Sequence, residues 1–121
     1  MFTLVAHKFE MDNTVVGQLQ NTLRFLMIDT EDQIKDGNRD ILSDRMNALN
    51  GLLSKENQVK LAYEDSEIKM GPTVYGEYVE VQINKLLEEV KAIYSSFEEG
   101  MYTMKQRKRC DEISDVLSHL K

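Results

Sequence analysis

The sequence predicts an all-α domain in which two antiparallel helical hairpins form a four-helix bundle, with an N-terminal appendage. Apolar residues recur at three- and four-residue spacing along most of the 121 residues, which is the period of one helical face. The only proline, Pro72, follows Gly71 and marks the strongest break in the chain. No segment shows the turn-bounded alternation of β-strands. We therefore expect one domain, 1–121, built from the hairpins 12–70 and 73–121.

The first hairpin, 12–70, is predicted from two amphipathic segments separated by a turn. Asp12 is suited to cap the first helix, because its carboxylate can accept hydrogen bonds from the free N–H groups of the first turn. Asp36-Gly37-Asn38 is typical of a helix C-terminus followed by a turn. Ser54 either caps a further helix or lies in a second helix that runs on toward Met70. The two apolar stripes comprise Val16, Leu19, Leu23, Leu26, Thr30 and Ile34, and then Ile41, Leu42, Arg45, Met46, Leu49, Leu52 and Leu53.

The second hairpin, 73–121, carries the clearest amphipathic stripe in the chain. Gly71 is suited to a positive φ, and Thr73 stands where an N-cap is expected. Glu98-Glu99-Gly100 predicts the turn between the two helices. The stripes comprise Tyr75, Tyr78, Val79, Gln82, Ile83, Leu86, Val90, Ile93, Tyr94 and Phe97, and then Met101, Met104, Ile113, Val116, Leu117 and Leu120.

Two features of the pattern leave alternatives open. Residues 1–11 fit either strand alternation or a helical face, and a helix is favoured because a lone strand has no partner in this chain. Several apolar residues lie off the main stripes, so they need a second neighbour. That neighbour is either another subunit, as in a homodimer, or the N-terminal segment. The residues concerned are Val15, Phe25, Met27, Ile28, Val74, Val81 and Leu87.

Composition excludes several classes of protein. A single cysteine, Cys110, excludes an intrachain disulfide framework and a cysteine-rich zinc site. Lys108 and Arg109 could lower the pKa of Cys110, but a lone helical cysteine is more often a small apolar residue. The apolar runs are too short for a membrane span or the core of a signal peptide. We expect a cytoplasmic protein without a cofactor or a catalytic residue.

Four acidic residues are the candidate metal ligands, Glu88 and Glu89 on the third helix and Glu112 and Asp115 on the fourth. Carboxylates on two antiparallel helices can converge on Mg²⁺, which prefers oxygen ligands. The pattern resembles the MazG-type nucleotide pyrophosphohydrolases, all-α enzymes with a Glu-Glu-x-x-Glu helix and a Glu-x-x-Asp helix. Glu112 and Asp115 match the second motif, whereas 91–93 lack the further acid of the first. The resemblance implies Mg²⁺-dependent nucleotide hydrolysis; the alternative interpretation is that these are solvated charges on helix faces.

Charge is segregated along the chain, although the net charge is only −6. Residues 1–104 contain 18 acidic and 10 basic side chains, whereas 105–121 contain three acidic and five basic ones. Four bases form what we call the basic segment: Lys105, Arg107, Lys108 and Arg109. Such a run can contact phosphates, so a nucleic-acid-associated factor is one alternative function. No basic face or aromatic stacking platform accompanies it, which makes nucleic acid an unlikely partner.

The opposite sign is concentrated near the first turn. We call these five aspartates, which are candidates for partner contact, the acidic segment: Asp29, Asp32, Asp36, Asp40 and Asp44. They are either a solvated outer surface or a ridge that meets a basic surface on a partner.

The preferred interpretation is a non-enzymatic protein–protein interaction module, a small regulator, inhibitor or adaptor. It would bind a protein partner through an apolar helical face rimmed by charge. Missing catalytic motifs, surplus apolar faces and segregated charge all favour it. Compact acidic chains without motifs are also typical of small phage proteins.

Overall fold

The computed structural model describes the backbone of residues 2–58 and 71–120, and the side chains of 14–58 and 71–120. These ranges contain four helices and no strand, so the all-helical prediction is confirmed for them. The helices are α1 (Phe2–Asp36), α2 (Arg39–Leu52), α3 (Pro72–Glu98) and α4 (Met104–Ser118).

The start of α1 differs from the sequence-based expectation. The helix begins at Phe2 and passes through Asp12 without interruption, so Asp12 is not an N-cap, and residues 2–11 belong to α1 and not to a separate appendage. Helix rather than strand is therefore the state of the first residues. The physical reason is the absence of glycine or proline before Gly17, which leaves nothing to stop the helix.

The first hairpin turns at Gly37, as predicted. Gly37 has φ +71°, a conformation that costs little only without a side chain. The N–H of Asn38 donates to the carbonyl of Gln33 over 3.0 Å, which closes the end of α1. The second helix ends at Leu52 instead of continuing toward Met70. Residues 53–58 form turns, and 59–70 lie outside the described residues, as does any further helix there.

The start of α3 corrects two details of the prediction. Gly71 is the N-cap, with extended backbone at φ −86°, so it does not use a positive φ. Pro72 is the first helical residue, where its missing N–H would have no partner anyway. Thr73 therefore lies inside the first turn of α3 and is not the cap. The proline begins a helix, whereas the sequence pattern treated it only as a break.

A capping box starts α4 after the turn at Gly100, which has φ +76°. The Gln106 N–H donates to Thr103 Oγ1 over 3.2 Å, and the Thr103 N–H donates to Gln106 Oε1 over 3.0 Å. These bonds satisfy N–H groups that a helix start leaves unpaired. Met101 and Met104, which the pattern assigned to the apolar stripe, are exposed by 67% and 64%.

Among the described residues, α3 makes the most extensive helix contacts, packing against both α1 and α2. Gly76 of α3 lies against Ile34 near the end of α1, so these two helices run in opposite directions. Gln82 Nε2 donates to Asn50 Oδ1 over 3.3 Å, which joins α3 to α2. α4 also packs against α1 and α2, less extensively than α3 does.

The core follows most of the stripes that the sequence predicts. Its buried apolar members are Val16, Leu19, Leu23, Leu42, Met46, Leu49, Leu52, Leu53, Tyr75, Val79, Ile83, Leu86, Val90, Ile93, Cys110, Ile113 and Leu117. Thr30, Arg45 and Gln82 are buried with them. Within the described ranges, no helix is both long enough and apolar enough to cross a membrane.

Candidate interaction surface

An open groove of about 760 Å³ lies between α1, α2 and the end of α4. The first half of α4 reaches the end of α2, where Arg109 Nη2 donates to the Leu52 carbonyl over 2.6 Å. From there α4 runs back along α2 toward the first turn and ends at Ser118. The groove is bordered by α1, by α2 and by the residues at the end of α4. Its lining comprises Thr22, Phe25, Leu26, Asp29 and Gln33, then Ile41, Asp44 and Arg45, and then Leu117, His119 and Leu120.

The two long walls of the groove carry exposed apolar side chains. Phe25 on α1 is 72% exposed, and Ile41 on α2 is 41% exposed. Leu26, Leu117 and Leu120 add apolar surface to the lining. Exposed aromatic and aliphatic side chains that line one concave surface are typical of binding sites.

An ion pair between a buried arginine and a half-exposed aspartate joins the two walls. Arg45 on α2 is only 6% exposed, and its Nη2 donates to Asp29 Oδ2 on α1. Its Nη1 donates to Thr30 Oγ1 over 3.4 Å, while its Nε has no hydrogen-bond partner. The sequence placed Arg45 on the apolar stripe and Asp29 in the acidic segment, but the spacing gave no sign of their pairing. The pair fixes the separation of the two walls.

The acidic segment lies at one end of the molecule. Asp29 and Asp44 line the groove. The other three aspartates are exposed around the turn that connects α1 and α2, namely Asp32, Asp36 and Asp40. The helix break at Gly37 divides the segment between the end of α1 and the start of α2. The structure therefore brings two of the five aspartates to the groove and leaves three beside it.

A second group of acidic residues lies between α1 and α3. The pKa of Glu80 is raised by burial and, to a smaller extent, by the neighbouring carboxylates of Glu31 and Glu77. These groups add to the negative field on the same half of the molecule as the acidic segment.

The basic segment is largely engaged within the chain. Arg109 Nε donates to Glu89 over 2.9 Å and its Nη1 to Glu112 over 2.9 Å, in addition to its bond to the Leu52 carbonyl. Arg107 pairs with Asp111, with 3.4 Å between Nε and Oδ1. Lys105 and Lys108 are exposed. The two arginines therefore connect helices and pair along α4 instead of presenting free charge.

The four candidate metal ligands are not gathered at one point. Glu89 and Glu112 approach each other, but the Arg109 guanidinium lies between them. Glu88 lines a separate shallow furrow with Arg24 and Lys91. Asp115 is exposed, and its backbone carbonyl lies 2.7 Å from His119 Nδ1. No group of three potential ligands that could hold a metal ion occurs in the part of the chain that the structure describes.

Cys110 is fully buried against the other helices. Burial raises the pKa of its thiol, as does Asp111, and these effects outweigh the lowering by Arg107 and Arg109. Its basic neighbours in sequence therefore do not activate it. Burial also raises the pKa of nearby Tyr102 to about 12, and the Tyr102 hydroxyl has no hydrogen-bond partner.

Comparisons with known protein families, with curated proteins and with solved structures found no match to this chain. The functional inference therefore rests on the geometry of the chain itself.

The sequence analysis singled out some of the residues that line the groove and assigned others to the core. It identified Phe25 as an apolar residue off the main stripe and Asp29 and Asp44 as candidate contacts. It assigned Ile41 and Leu120 to core stripes, although Ile41 is exposed beside the groove and Leu120 lines it. Periodicity within one helix cannot reveal how the neighbouring helices pack, and the groove is formed by residues of three helices.

Proposed function

We propose that the protein is a non-enzymatic interaction module, a small cytoplasmic regulator, inhibitor or adaptor, whose two helical hairpins form a four-helix bundle. In this proposal a protein partner docks in the groove. The observation that carries it is the exposure of Phe25 and Ile41 on facing walls of one concave surface.

The surroundings of these two residues support docking in the groove. The ion pair between buried Arg45 and half-exposed Asp29 joins α1 and α2 without any partner, which favours a preformed surface. A preformed surface lowers the cost of ordering side chains on binding. Apolar residues at the centre and charged residues at the rim are the usual anatomy of a protein interface.

Exposed apolar residues elsewhere are less concentrated. Val74 and Val81 on α3 are 37% and 46% exposed, and Ile28 on α1 is 57% exposed. None of the three lines the groove. The residues that the structure describes leave these three side chains exposed, and they are not part of the proposed docking surface.

Affinity capture from an extract of the source cells tests the proposal with a matched pair of variants. Phe25→Ser removes the aromatic side chain from the groove, and Val81→Ser removes an exposed apolar side chain from α3. Circular dichroism would first show that both variants fold. We expect wild type and Val81→Ser to capture the same protein and Phe25→Ser to retain at least about tenfold less, as for the loss of a central aromatic contact. Equal capture by all three forms, or capture lost only in Val81→Ser, would contradict docking in the groove.

A further inference from the structure

We propose that the occupant of the groove is a basic amphipathic helix of the partner protein. This inference rests on the proposed function and adds the shape and charge of the partner.

The helical shape follows from what already occupies the same surface. α4 packs against α1 and α2, and its buried residues are Cys110, Ile113 and Leu117. Their three- and four-residue spacing is that of one helical face. The groove borders the last turn of α4 and shares with α4 the two helices that form its walls, α1 and α2. An apolar stripe at the same spacing on a partner helix would meet Phe25 and Ile41.

The basic charge follows from the acids around this surface. Between residues 29 and 44 the chain contains six acidic and two basic side chains. The basic group inside the groove, Arg45, is buried and paired with Asp29, whereas Asp44 is exposed on the α2 wall. One of the two bases, Arg39, has its guanidinium carbon 5.7 Å from the Tyr75 ring centroid on α3. Lysines or arginines flanking the apolar stripe of a partner would complement this field.

A direct test measures the fluorescence anisotropy of labelled peptides with the full-length protein. The first probe is a helix-forming peptide of about 18 residues, or five turns, with leucines at the i, i+3, i+4 and i+7 positions and lysines beside them. The second has glutamate at every lysine position. We expect the lysine peptide to bind at least about tenfold more tightly, with an affinity that falls as salt is added.

Three variants test where the lysine peptide binds and whether its binding depends on charge. Phe25→Ser should weaken binding of the lysine peptide about tenfold or more. Asp44→Asn should weaken it about threefold, whereas Glu98→Gln, the same change of charge at an exposed residue that does not line the groove, should leave it unchanged.

The outcomes separate this inference from the proposed function. If the glutamate peptide binds as tightly, or if Asp44→Asn has no effect, the basic occupant is wrong, even where Phe25-dependent capture from the extract still holds. Binding of neither peptide up to about 100 µM would also overturn it. A dimer in sedimentation that Phe25→Ser dissociates would show that a second copy of the chain is the occupant.

Discussion

At the scale of single residues, Gly76 marks a place where α3 lies close against Ile34 of α1. A Cβ atom added at Gly76 would overlap Cγ1 and Cδ1 of Ile34. Gly17, within α1, has open space around the same position. Two glycines in helices therefore have opposite steric surroundings.

This contrast predicts opposite effects of the same substitution. Gly76→Ala should lower the free energy of unfolding by about 1 to 3 kcal/mol because the core is overpacked. Gly17→Ala should raise it by about 0.5 to 1 kcal/mol, since alanine favours the helix and nothing obstructs it. Urea denaturation measures both. Adding Ile34→Val to Gly76→Ala should restore part of the loss, and a Gly76→Ala protein as stable as wild type would show that the helices are not in contact there.

The buried hydroxyl of Tyr102 gives a second prediction at this scale. Its ring packs edge-on against Phe97 at 5.6 Å between centroids, and this contact survives in Tyr102→Phe. Since the hydroxyl is buried without a partner, its removal should raise the free energy of unfolding at pH 7 by about 1 kcal/mol.

The same residue sets a pH dependence. The pKa of Tyr102 is raised from 10.0 to about 12 in the folded protein. Below pH 10 the Tyr102 hydroxyl is protonated in both the folded and the unfolded chain, and its full contribution to the free energy of unfolding is present. As the pH rises toward 12, the unfolded chain releases this proton first, so the free energy of unfolding falls. The raised pKa of Cys110 acts in the same direction from about pH 9. Urea denaturation across this range should show a shallower alkaline loss in Tyr102→Phe than in wild type, and identical slopes would contradict the burial of the hydroxyl.

Cys110 shows that the pKa of a side chain cannot be predicted from its sequence neighbours alone. Its sequence neighbours Lys108 and Arg109 suggested a lowered pKa, but the fold buries the thiol, and burial opposes the charged form more strongly than the neighbouring charges favour it. Neighbours along the chain are visible in a sequence, whereas the depth of a side chain depends on elements distant in sequence.

At the scale of helices, the capping residues show where the observed helix starts differ from the expected ones. Thr103 caps α4 through a reciprocal pair of hydrogen bonds with Gln106. Thr73, which the sequence pattern marks as a cap, lies one residue inside the start of α3 at Pro72. Its side chain is exposed.

The two threonines therefore form a matched pair of substitutions. Thr103→Ala should lower the free energy of unfolding by about 1 kcal/mol, the usual effect of losing a capping side chain. Thr73→Ala should change it by less than about 0.5 kcal/mol. Thermal or urea unfolding measures both, and a larger loss in Thr73→Ala than in Thr103→Ala would place the start of α3 at the threonine after all.

The helical content was largely predictable because local signals determine it. Glycines with positive φ end α1 and precede α4 where the sequence indicates turns, and the apolar period marks the buried faces. The start of α1 was predicted wrongly at Asp12, and the end of α2 was left open between a stop before Ser54 and a helix running on toward Met70. A weak capping signal at Asp12 does not stop a helix that has favourable residues on both sides, and a poor stripe after Ser54 does not fix where a helix ends.

At the scale of the whole molecule, α4 separates two regions of opposite charge. The basic segment lies in the first half of this helix, and the acidic segment surrounds the turn toward which it runs. Its 15 residues span about 22 Å at 1.5 Å per residue. Much of the basic charge is neutralised by Glu89, Glu112 and Asp111, so the acidic end is the stronger electrostatic feature.

The groove itself was beyond sequence-based prediction. Phe25 and Ile41 are 16 positions apart, and the groove between them depends on where α4 ends relative to both. That relation follows from the packing of three helices, which one-dimensional periodicity does not contain. The sequence did indicate that surplus apolar residues and clustered aspartates need an explanation, and the groove unites Phe25, Asp29 and Asp44 in one surface.

Site-specific photo-crosslinking tests the docking surface most directly. Phe25→benzoylphenylalanine places a reactive aromatic group in the groove, and Val81→benzoylphenylalanine places the same group on α3. After irradiation in an extract of the source cells, we expect one protein partner to be crosslinked from position 25 and not from position 81. Crosslinking from position 81 alone, or from neither position, would contradict the proposal that the groove is where this protein binds its partner.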